Sequence, residues 1–157
     1  MKQLFTIMAI MVISLNVFAQ KKPDDIVGNW MTADKTTIVQ IMKSGNNYIG
    51  KLIWSKQKNR KDHLNPDEAK KEKYLLNSLI LTKFEHDGDQ SYTNGEIYDP
   101  NSGKTYDSNL TLVSKNRLKV QGYVGITMFG RSSEWTRVTT KNGLHKRKAP
   151  KKIIVKK

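Results

Sequence analysis

The sequence predicts an all-β fold, a single antiparallel up-and-down barrel of about eight short strands. Runs rich in branched and aromatic residues recur about every ten residues, with Gly, Asn, Asp and Ser between them. Several of these runs alternate apolar and polar side chains with the period of two that a half-buried strand requires. No internal repeat or heptad is visible, and no helix is suited to follow the glycines of the last third as a phosphate-binding element would need.

Each element follows from its residues. Residues 26–32 read as the first strand, with Ile26, Gly28, Trp30 and Thr32 on one face; Gly28 beside the large Trp30 marks a close backbone approach. Residues 37–43, rich in branched side chains, form the second strand, and Ser44-Gly45-Asn46-Asn47 is a hairpin connection. The third strand, 48–54, sets Tyr48, Gly50, Leu52 and Trp54 on one face and Ile49, Lys51 and Ile53 on the other. Residues 55–73 lose the pattern, carry dense charge and contain Asn65-Pro66, so they predict a long loop with one helical turn near Pro66, either a lid at the barrel mouth or a solvated, flexible loop. A fourth strand lies within 75–85, and Asp87-Gly88 turns the chain into a fifth over 91–98. The stretch 95–107 is a central hairpin with two Tyr-Asp pairs, Tyr98-Asp99 and Tyr106-Asp107, in which Asp99 accepts hydrogen bonds from the turn backbone and Tyr106 faces a residue near Tyr98 in an aromatic cross-strand contact. Residues 105–113, 117–124 and 132–139 complete the set, with Gly122, Gly125 and Gly130 marking a kinked strand and a tight return near 128–131.

Met1-Lys2, the apolar run from Leu4 to Phe18 and Val17-Phe18-Ala19 predict a secretory signal peptide over 1–19, cleaved after Ala19. The run is too short and too interrupted for a membrane span, so the mature protein is expected to lack a transmembrane segment and to be periplasmic or secreted. The barrel domain is 20–140. It contains no cysteine, which excludes disulfides, thiol catalysis and thiolate metal sites. The net charge is +14, yet the body from Gln20 to Thr140 holds 19 basic against 14 acidic residues. The excess sits in the tail 141–157, which has eight Lys or Arg, no acid, and reads as disordered. In an exported protein such a tail either contacts an anionic envelope surface, rather than nucleic acid, or is simply solvated with no dedicated partner.

The blocks Gly95-x-Ile97-Tyr98-Asp99-Pro100-x-x-Gly103-Lys104-x-Tyr106, Gly122-Tyr123-Val124-Gly125, Gly130-Arg131 and Trp135-Thr136-Arg137, with Ile26-Val-Gly-Asn-Trp30, Gly50-Lys-Leu-Ile-Trp54 and Asp62-x-x-Asn65-Pro66, resemble the bacterial exported family catalogued as domain of unknown function 2147. The resemblance implies a lipocalin-like, calycin-type barrel of the cell envelope with no established activity. It also implies that Gly28-x-Trp30 plugs the closed end and that the Arg137 guanidinium lies over the Trp30 indole, a cation–π contact that closes the barrel. Two departures stand out: the pattern leads one to expect a tryptophan near Tyr92 and a glycine near Ser78. The tail from Lys141 lies outside the shared region.

The three histidines, His63, His86 and His145, lack metal-ligand spacing, and no nucleophile elbow is present, so no catalytic residue, metal or cofactor is assigned. Trp54, Tyr98, Tyr106 and Tyr123 are the candidate lining of a barrel pocket for a small hydrophobic or amphipathic ligand, with Asp62 from the long loop. The alternatives are an envelope-interaction protein with a filled barrel and a basic tail on anionic surfaces, and an enzyme using Asp and Tyr groups at the mouth.

Overall fold

The computed structural model describes residues 22–123 and 132–139. Strands β1 (Gly28–Met31), β2 (Thr37–Ser44), β3 (Asn47–Ser55), β4 (Leu79–His86), β5 (Ser91–Asp99), β6 (Lys104–Ser114), β7 (Arg117–Tyr123) and β8 (Ser132–Arg137) pair antiparallel in chain order and close into a barrel. Closure is made by β1 against β8, with Trp30 opposite Arg137 and Met31 opposite Thr136. Among the described residues no helix is long and apolar enough to cross a membrane. The glycines at 125 and 130, the return near 128–131, the signal segment and the basic tail lie outside the described residues.

One end of the barrel is closed by the chain's own start. Residues 26 and 27 do not extend the first strand; Pro23–Ile26 instead forms one 3-10 turn, with Pro23 supplying a preset φ and the Lys22 amide donating to the Asp25 carboxylate at 2.9 Å. This sends the Ile26 side chain into the core, where it is fully buried. The turn is then tied down by groups of the barrel. The Trp30 indole N–H donates to the Ile26 carbonyl (2.9 Å), the Tyr92 hydroxyl to the Pro23 carbonyl (2.6 Å) and the Tyr48 hydroxyl to the Asp24 carboxylate (2.7 Å). Arg137 donates to the carbonyls of Val27, Asp25 and Lys115, and its guanidinium carbon lies 4.2 Å from the Trp30 ring centroid. Gly28, at φ +144°, leaves the space that this guanidinium occupies; a β-carbon there would overlap it.

Along most strands the interior is packed by alternate residues. Tyr48, Gly50 and Leu52 of β3, and Ser108, Leu110 and Leu112 of β6, are buried while their neighbours are not. Two inward glycines make room for large partners across the barrel wall: a methyl on Gly50 would overlap Leu81, and one on Gly95 would overlap the Phe84 ring. Tyr48 and Tyr92 meet edge to face, with centroids 5.1 Å apart. The inner face is therefore packed with the chain's own large side chains.

Irregular positions decide which face a side chain takes. In β3 the register passes from Val39 opposite Leu52 to Ile38 opposite Trp54, so Ile53 is an extra residue. Leu52 shares the core face with Val39; Trp54 shares the opposite, outer face with Ile38. In β4, Lys83 adopts φ +64°, which lets both Leu81 and Phe84 point inward. That strand takes the later part of the 75–85 stretch, from Leu79, because Leu75 reaches the core from the loop and Asn77 has φ +73°.

Trp30→Ala should lower the unfolding free energy by about 3–5 kcal/mol, as expected for emptying a buried indole site. Arg137→Lys should cost about 1–3 kcal/mol by leaving the carbonyls of the N-terminal turn unpaired. Urea titration of the three proteins checks both; an unchanged midpoint for Trp30→Ala would contradict this account of closure.

Candidate functional site

Outside the filled barrel lies a half-open groove of about 610 Å³. Its floor is the outer face of three strands, Thr82 of β4, Glu96 and Tyr98 of β5, and Thr105 of β6, with Ile80, itself part of the buried core cluster, at its edge. Register places them together, since Thr82 stands opposite Glu96 and Tyr98 opposite Thr105. Leu81 and Ile97, one residue along, lie on the core side. The wall is the long loop between Asp62 and Ser78, which includes the single-turn helix α1 (Glu68–Lys71), with Leu79 at the start of β4. Asp67 caps that turn by accepting the Ala69 amide at 3.0 Å.

The loop is held at both sides. On one, Asp62 is 5 % exposed and its two carboxylate oxygens accept from the Tyr98 hydroxyl and the Asn65 amide, each at 2.7 Å. Asn65 in turn accepts the Asp67 amide at 2.9 Å, so the carboxylate orders the chain into α1. Arg60 donates to the Pro100 carbonyl at 2.8 Å, and the Leu64 carbonyl sits where a β-carbon on Gly103 would be. Gly103 therefore serves twice: its φ of +68° turns the hairpin, and its missing side chain admits the loop. On the other side, the Asn77 amide donates to Leu52 and the Leu52 amide to Ser78, which ties the loop's end to β3.

Burial, and then the bond to Asp62, push the Tyr98 phenol up to about 12; burial alone is the main cause for Tyr92, also raised to about 12. Both phenols are held protonated in the fold. Their contribution to stability is complete below the ordinary tyrosine value of 10 and is lost as pH rises from there through about 12.

The residues singled out in the sequence divide among three places. Asp62 and Tyr98 come together in the loop clasp. Trp54 does not join them, because the extra residue in β3 turns it to the outer face away from the groove lining. Tyr106 stands opposite Ile97, on the core-facing side at the mouth, with its hydroxyl 3.3 Å from Ser102 Oγ. The two hairpin tyrosines thus take opposite faces, and the cross-strand ring contact is replaced by Tyr98 with Thr105 and Ile97 with Tyr106. Tyr123 ends β7 opposite Asp107, and its side chain lies outside the described residues. Gly28, Trp30 and Arg137 sit together at the closed end. Asp99 accepts from the Asn101 amide and the Ser102 hydroxyl, both at 2.9 Å, in the turn. Lys70, Lys73, Tyr74, Leu76, Leu79, Thr82, Glu96 and Thr105 were not singled out; the signal that could have found them is the outward parity of the β4–β6 positions beneath a loop that keeps Tyr74, Leu76 and Leu79 exposed.

Tyr98→Phe should make the loop more open to trypsin, which has sites at Lys56, Lys58, Arg60 and Lys61, while the melting transition of the barrel stays sharp. Asp62→Ala, which strands the Tyr98 hydroxyl and the Asn65 amide, should add a loss of about 1–3 kcal/mol. In an alkaline ultraviolet titration, Tyr98→Phe should remove one of the late-ionising phenols; an unaltered late phase would contradict the buried clasp.

No curated protein matches the sequence. Among solved structures, protein HP1028 from Helicobacter pylori, described as belonging to the lipocalin family, is similar in fold, with a TM-score of 0.68 over 73 % of this chain and 84 % of that one at 21 % identity. The model of the uncharacterized proteins conserved in bacteria designated DUF2147 matches residues 28–137, and the chain, a closed lipocalin-like barrel with a clasped outer loop, belongs to that family.

Proposed function

We propose that this is an exported binding protein whose small amphipathic ligand seats in the outer groove rather than inside the barrel. The observation that carries this reading is the groove itself, an open recess with an apolar wall and a few placed polar groups, held by a buried carboxylate. The filled interior directs the ligand outward, which moves the site away from the barrel pocket that Trp54, Tyr106 and Tyr123 were expected to line. Export rests on the leader over 1–19 with its Val17-Phe18-Ala19 junction.

A second reading, an envelope protein that contacts anionic surfaces through its basic tail, is favoured by the same filled interior, which it requires. Removal of residues 141–157 separates the two: it should leave ligand capture unchanged and abolish retention on anionic vesicles only if the tail reading holds.

The test of the groove is mass spectrometry of small molecules that co-purify with the full chain from its native host, compared with a Leu79→Glu variant, which places a charge on the exposed wall. The variant should lose the bound species while keeping its melting temperature. Retention of the same molecule in both proteins would move the site elsewhere.

A further inference from the structure

We infer that the groove selects a single-chain amphiphile with one negative charge, such as an alkyl carboxylate. This rests on the groove being a ligand site and adds the class of ligand. The acids of the lining are already engaged. Glu96 Oε1 lies 2.6 Å from Lys83 Nζ, and its other oxygen accepts from Thr82 at 3.4 Å. Asp67 is held below the usual carboxylate range by Lys70, whose Nζ lies 3.1 Å away, and by the Ala69 amide. Both oxygens of Asp62 are taken by neutral donors.

Lys73 differs. It lines the groove just after α1, where its amide donates to the Lys70 carbonyl, and among the described residues no carboxylate stands within ion-pair distance of its ammonium group, which acts on Asp67 only at longer range. Beside it the wall is apolar and open to solvent: Tyr74, Leu76 and Leu79 are 56 %, 37 % and 48 % exposed. A ligand that covers these side chains and brings one anion to Lys73 matches both features. A cationic head would leave Lys73 unmatched and meet Lys70 as well. A head with several negative charges would face Asp62, Asp67 and Glu96 across the same recess. One charge on one chain is what the lining complements.

The experiment is calorimetric titration of the full chain at low salt with dodecanoate, dodecyl maltoside and dodecyltrimethylammonium, each below its micelle concentration. Dodecanoate should bind most tightly, Lys73→Gln should weaken it by roughly two- to fivefold, as for one exposed ion pair, and added salt should erase that difference. Dodecyl maltoside should not respond to Lys73→Gln, and dodecyltrimethylammonium should bind slightly more tightly once that like charge is gone. Leu79→Glu should weaken all three. Equal binding of the three probes, insensitive to Lys73→Gln yet lost in Leu79→Glu, would overturn the charge class and leave the groove standing. Binding insensitive to Leu79→Glu would overturn the groove as well. Capture of phosphatidylglycerol vesicles with no response to dodecanoate would assign the anion to a membrane surface and overturn the proposal.

Discussion

The bond between the Asp62 carboxylate and the Tyr98 hydroxyl decides what this barrel can present to its surroundings. A carboxylate taken out of water is costly unless its oxygens are matched by donors. Here Tyr98 from β5 and Asn65 from the loop itself supply them, so the loop is stable only when it lies on the outer face of β4 to β6. The same docking buries the Leu64 carbonyl against Gly103 and spans Arg60 to Pro100. Without it, residues 56–78 would be a charged excursion from the mouth. With it, they wall a groove.

The two ends of the molecule divide the work. At the closed end, Arg137 joins the last strand to the N-terminal turn and covers Trp30, and the buried Ile26 fills the space beneath. Between the ends, Gly50 and Gly95 admit Leu81 and Phe84 into a tightly packed core. On the outer surface, by contrast, the apolar wall of the groove is exposed beside Lys73.

Much of the fold was legible because it depends on local signals. The strand runs, their turn residues and the Gly28-x-Trp30 spacing describe the barrel before any coordinate is seen, and Asp99 acts in its turn as its position implies. What was not legible depends on single insertions and on non-local approach. One extra residue at Ile53 reverses Trp54 and removes it from the face that strict alternation assigns it. Lys83 does the same in β4 by taking a left-handed conformation, which its side chain does not advertise. Asp62 and Tyr98 were each visible as unusual residues, but their meeting across 36 positions follows from where the loop folds back, and the cue, a glycine that must admit a distant backbone, reads in sequence only as a turn. The hairpin's twin Tyr-Asp pairs look equivalent; their parity gives one tyrosine to the groove and one to the mouth.

The most direct test of a site outside the barrel is an amide chemical-shift titration of the folded protein with dodecanoate. The account predicts shifts confined to Lys73, Leu76, Leu79, Thr82, Glu96, Tyr98 and Thr105, on the loop and the outer face of β4 to β6. Shifts centred instead on Ile97, Leu110, Leu118 and Val120, whose side chains face the core, would contradict it.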